Sequence, residues 1–206
     1  MRISLIGMSN IGKSTWARQV AAKGGYGLVA CDALIEKRLG AELTQKGMRG
    51  MASWMGLPWE PQYKKNAAIY LDHERAVMRE QLARLKADEG LQVVMDTTGS
   101  VIYTGDDILA EMRATTTVVY LEASEEHTEA LFKHYMTHPK PTIWGDIYAP
   151  RAGESGEETL KRCYPELLRF RAGRYAEIAH MTIPFAQHRD RSADLGAAIR
   201  ERVRGL

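Results

Sequence analysis

Cysteine is scarce: Cys31 and Cys163 are the two in 206 residues, far apart and without C-x-x-C or Cys/His ligand spacing. That excludes a disulfide framework, makes a structural metal unexpected, and suits free thiols in a reducing compartment. Charge of one sign is lacking too. With 28 basic against 26 acidic residues and a net +2, no global field calls for nucleic acid or membrane as partner, and the basic, aromatic surface of a polynucleotide binder is missing. No apolar run approaches membrane-spanning length, and the first residues read as a strand rather than an export signal. A cytoplasmic protein without a membrane partner is expected. Repeats and low-complexity linkers are also absent, so residues 1–206 read as one α/β domain, a monomer or a homodimer.

What is present begins at the start of the chain. Gly7-Met8-Ser9-Asn10-Ile11-Gly12-Lys13-Ser14 fits G-x-x-x-x-G-K-[ST], with the strand-like Arg2–Ile6 before it and a helix-compatible segment after it. In that context the pattern reads as a phosphate-binding loop rather than a plain glycine turn. Gly7, Asn10, Ile11, Gly12, Lys13, Ser14 and Thr15 are the expected nucleotide-binding residues: backbone amides turn inward around a polyphosphate, Lys13 neutralises charge, and the Ser14 hydroxyl ligates Mg²⁺. ATP with Mg²⁺ is the expected cofactor.

The rest alternates. Strands are expected at Arg2–Ile6, Gly27–Cys31, Leu91–Met95, Thr117–Glu122 and Met181–Phe185, mostly short and apolar. Helices are expected at Ser14–Ala22, Ala33–Leu39, Asn66–Lys86, Asp107–Met112, Glu125–Met136, Pro165–Ala179 and Asp194–Val203. This order predicts a doubly wound, parallel, five-stranded sheet with helices on both faces, its ligands at the carboxyl ends of the strands. Gly40–Tyr63 and Thr137–Gly156 resist regular assignment. The first, rich in Met and Trp and including Trp54, reads as a cap over an acceptor or as a satellite hydrophobic core; the second reads as a lid over the phosphates.

Asp32 follows the second strand and opens a helix, where it either caps that helix or accepts a proton from an acceptor hydroxyl. Asp96 ends the third strand, as a turn former or as the acidic residue that holds a Mg²⁺-bound water. Thr98, Gly99 and Ser100 behind it offer hydroxyls and exposed backbone to a small polar substrate. Arg151 in the lid is either solvated or a cation for the transferring phosphate. Six histidines show no metal spacing and read as surface or packed residues.

Gly7–Thr15, the run Asp32-Ala33-Leu34-Ile35-Glu36-Lys37-Arg38-Leu39-Gly40, and the run Arg171-Ala172-Gly173-Arg174-Tyr175-Ala176-Glu177-Ile178-Ala179 resemble successive signatures of the shikimate kinase family. The resemblance implies a nucleoside-monophosphate-kinase-like α/β fold that moves the γ-phosphate of MgATP onto a hydroxyl. It makes Asp32 the residue at the substrate hydroxyl and Arg171 the residue at a substrate carboxylate. Lys140 with Pro141 stands where the family has a lid Arg-Pro, and Lys133 where it has an adenine-stacking arginine; both keep charge but lose the planar guanidinium.

Three departures bear on specificity. The family's D-x-D reads Ala30-Cys31-Asp32, its triple glycine reads Thr98-Gly99-Ser100, and its F-R-x-x-E reads Tyr70-Leu71-Asp72-His73-Glu74, with Leu71 replacing a carboxylate-binding arginine. A half-paired carboxylate is costly to bury. The expected activity is therefore transfer from ATP to a small anionic hydroxyl compound other than shikimate. A nucleotide-dependent switch without transfer, or a nucleotide or RNA-end kinase, is the alternative.

Overall fold

The computed structural model describes residues 1–43, 47–124, 131–133, 135–137, 140–190 and 194–204. Strands β1 (Arg2–Ile6), β2 (Gly27–Ala30), β3 (Val93–Asp96), β4 (Thr117–Leu121) and β5 (Met181–Ile183) form one parallel sheet of order β2-β3-β1-β4-β5. β1, β3 and β4 are apolar and almost wholly buried, as strands covered on both faces must be. β5 stops at Ile183 because Pro184 has no amide to donate and leads into a short helix.

The helices are α1 (Lys13–Gly24), α2 (Cys31–Leu39), α3 (Gly47–Met55), α4 (Tyr63–Ala87), α5 (Asp106–Thr115), α6 (Gly156–Ile178), α7 (Phe185–Arg189) and α8 (Leu195–Arg204). α1 packs against α8, while α2, α4, α5 and α6 form a second contiguous group. The helix expected at Glu125–Met136 lies partly outside the described residues; 131–133 and 135–137 are helical. None of the described helices is long and apolar enough to cross a membrane.

Two expectations need correction. α6 begins nine residues before Pro165, because Ser155 and Glu158 form a reciprocal capping box. A face of Leu160, Tyr164, Leu167, Leu168, Tyr175 and Ile178 then carries the helix through the proline, against a cost of about 3 kcal/mol for the missing bond and the ring clash. The Met/Trp segment contains a helix, α3, whose Met51 and Met55 belong to the main core. Residues 44–46 of that segment lie outside the description.

The second irregular segment is packed in as well, although its residues 138–139 are outside the description. Trp144 is fully buried, edge-on to Tyr135 and Tyr148 and tilted against Tyr164. The Tyr63 hydroxyl donates to the Thr142 carbonyl and accepts from the Trp144 amide, each at 3.0 Å. The segment's main chain is thus tied to α4 through the Tyr63 hydroxyl, and the segment to α6 by aromatic packing.

Candidate active site

β1 delivers the chain to the carboxyl edge of the sheet, where Gly7 turns with φ 141°; a Cβ there would come 2.7 Å from the Leu121 carbonyl oxygen. Asn10, at φ 66°, adds a left-handed residue, and Gly12 at φ 107° opens α1. Lys13 folds back over this loop, donating to the carbonyls of Gly7 and Met8 at 2.9 Å each. An ammonium has three donors, so one remains for a ligand. Burial pulls the Lys13 pKa down to about 8, while Asp96 and Asp32 oppose the shift; at neutral pH the group stays charged.

A cleft of about 260 Å³ lies over the loop. Asn10, Gly12, Lys13, Ser14 and Thr15 line it on one side, and Asp32, Gly99 and Lys140 on the other. Loop, Asp32 and Lys140 come from three separate parts of the chain, so the sequence assignments converge here. Burial pushes the Asp32 carboxyl up and the Lys140 amine down; Lys13 opposes the first shift and Asp32 the second. Gly99 sits so close to the loop that a Cβ would lie 2.8 Å from Ser9 Oγ. Asp96, paired in register with Leu5 and Ala30, is buried at the end of β3, and its Oδ1 has no hydrogen-bond partner.

Other expected residues stand elsewhere. Gly7 and Ile11 are buried beneath the loop. Arg171 borders a second, small space of about 20 Å³ shared with Asn10 and Lys140. It donates to the Ile143 carbonyl at 2.6 Å and lies 5.5 Å from the centre of the Tyr103 ring, while its Nε is buried without a partner. Lys133 and Arg151 are exposed and do not line the cleft; Arg151 lies in the turn before α6, hydrogen-bonded through its main chain to Glu154. Trp54 is outside the cleft too, half-buried against the core with its carbonyl accepting from Asn66. Of the six histidines, 127, 134 and 138 fall outside the description, while His180 Nδ1 accepts from the Val118 amide and His188 is buried.

Thr98 and Ser100 correct the expectation most. Their hydroxyls do not face the cleft but donate to the two oxygens of Glu74, that of Ser100 at 2.7 Å. Sequence reasoning placed Glu74 in a motif and gave it no task. The signal available was a polar residue on the buried face of a long helix, four positions after Tyr70. Among the described residues no ion pair reaches Glu74, and burial pushes its pKa from 4.5 up to about 7, against the two hydroxyl donors and the charge of Arg171. The folded protein therefore keeps a proton that the unfolded chain has released, and stability falls as pH rises from about 5 to about 7. The full effect is of order 3 kcal/mol. Glu74→Gln should flatten that slope, measured as urea midpoints at pH 5 and pH 8; parallel slopes in both proteins would refute a neutral Glu74.

The AAA domain family matches residues 3–131. The chain belongs to that family. Its P-loop is thus a family feature as well as a local geometry. A curated relative, shikimate kinase of Paracidovorax citrulli, is 28% identical over 183 residues, spanning 89% of this chain and 81% of that protein. Among solved structures, shikimate kinase from Acinetobacter baumannii, in complex with shikimate, aligns with a TM-score of 0.64 at 22% identity, covering 99% of this chain and 93% of that one. Shikimate kinase from Bacteroides thetaiotaomicron gives 0.64 at 20%, covering 100% and 99%. This AAA-family chain therefore has the P-loop α/β fold of the shikimate kinases.

Proposed function

We propose that this protein is an ATP-dependent kinase that moves the γ-phosphate of MgATP to a hydroxyl of a small anionic acceptor other than shikimate. The observation that carries the reading is the single cleft shared by the phosphate loop, Asp32 and Lys140. A loop that only senses nucleotide has no need of a carboxylate opposite its lysine. In transfer, the acceptor oxygen bonds to the γ-phosphorus while Asp32 accepts the hydroxyl proton. The bond from that phosphorus to the β–γ bridging oxygen breaks, and ADP leaves with the electron pair. Lys13 and Lys140 neutralise the charge that spreads over the phosphoryl oxygens.

Mg²⁺ supplies Lewis-acid neutralisation of the β- and γ-phosphates. The donors here fit it. Asp96 offers a buried carboxylate oxygen with no other partner, and Ser14 an exposed hydroxyl at the start of α1, both the hard oxygen ligands this ion takes. Asp96→Asn should raise the Mg²⁺ concentration for half-maximal ADP release by roughly 10-fold, as loss of a ligand or of its partner does, with little change in the ATP requirement. Equal shifts in both would return Asp96 to a turn former.

Arg171 fits the acceptor's anionic group, since its Nε is unpaired and its space adjoins the cleft through Asn10 and Lys140. Admitting that group requires residues 140–144 to move, the gating step common in kinases. The reading is tested by screening small hydroxylated anions for acceptor-dependent ADP release. Release indifferent to every anionic hydroxyl compound, with uncharged ones active, would make Arg171 structural.

A further inference from the structure

Asp32 lies in the first turn of α2, where the helix fixes its Cα but not, by itself, the direction of its carboxylate oxygens. A group that accepts a proton in transfer must present one oxygen to the incoming hydroxyl, and misplacement by an ångström costs about 100-fold. The Tyr70 hydroxyl donates to Asp32 Oδ1 at 3.3 Å. Tyr70 is 2% exposed, its ring locked in the core on the same face of α4 as Glu74, one turn later. Glu74 holds Thr98 and Ser100, and these flank Gly99, which packs on Ser9 of the phosphate loop. One turn of α4 therefore touches both the carboxylate and the wall of the loop that it faces across the cleft.

We propose that Tyr70 is a positioning residue for phosphoryl transfer: its hydroxyl holds Asp32 Oδ1 so that Oδ2 alone meets the acceptor's proton. A carboxylate accepts and never donates, so the phenol is the donor, and a phenylalanine in the same place would pack the same core with no hold on Asp32. The assignment rests on the transfer reading above and adds to it a residue outside the cleft.

The probe is MgATP alone, with water as acceptor: the water oxygen bonds to the γ-phosphorus, its proton passes to Asp32, and ADP and inorganic phosphate leave. Tyr70→Phe should lower ADP release about 10-fold, the loss expected for one hydrogen bond to a charged group, with MgATP affinity and melting temperature close to wild type. Tyr70→Phe combined with Asp32→Asn should be no slower than Asp32→Asn alone, because the phenol acts only through Asp32. A merely structural tyrosine would give additive losses. A wild-type rate in Tyr70→Phe, or additivity in the double variant, overturns this assignment while leaving the transfer reading in place. If wild-type protein binds MgATP and releases no ADP, with or without the hydroxylated anions, the transfer reading falls and this assignment falls with it.

Discussion

Lys13→Met is expected to lower ADP release by on the order of 1000-fold, the upper range for removing one preorganised charge donor from a transferring group. Methionine keeps the unbranched, buried stem, so the melting temperature should move little. The ammonium sits between the loop carbonyls of Gly7 and Met8 and feels both Asp96 and Asp32. Without it, the Asp32 carboxylate shares the cleft with a polyphosphate and no buried cation from the loop, and the charge of Asp96 is no longer offset by the ammonium. Like charges then disfavour MgATP itself, so affinity should fall along with turnover. Turnover near the wild-type level, in a variant whose circular dichroism is unchanged, would end the kinase reading altogether.

Shikimate should give no ADP release above the water background, even at saturating MgATP. Leu71 cannot pair a carboxylate, and loss of one charged hydrogen-bonding partner alone costs about 10- to 100-fold. The space beside Arg171 is also small, about 20 Å³, and bordered by Tyr135, Lys140 and Thr142. Efficient shikimate turnover, followed by coupled ADP detection, would show that a single guanidinium suffices here and that residues 140–144 open wide enough for a six-membered ring.

The strand, loop and opening turn of α1 were legible because every determinant lies within about fifteen residues: an apolar run, two glycines where φ is positive, and a lysine at fixed spacing. Asp32 was marked by its place after the second strand as well as by resemblance, Lys140 by resemblance alone, and the cleft brings both to the loop. Contacts across the fold were not legible. Nothing local says that Thr98 and Ser100 turn away from substrate toward Glu74, because their partner is more than twenty positions away on a helix whose rotation is set by packing. Pro165 misled for a related reason. Proline favours a helix start, yet Ser155 and Glu158 signal one earlier, and the buried face of α6 decides between them. Prolines and glycines made Thr137–Gly156 read as a lid over the phosphates, while Trp144, one of the largest fully buried side chains, ties its described part into the core.

That burial gives the protein an optical handle. Trp144 is shielded from water by three tyrosines, whereas Trp59 is 41% exposed and Trp54 half-buried. An indole in so dry a cage emits toward the blue, and any displacement of residues 142–144 that carries it toward solvent shifts its emission to the red. With Trp16, Trp54 and Trp59 replaced by phenylalanine, the remaining fluorophore would report the position of this segment in real time, before any acceptor has been identified.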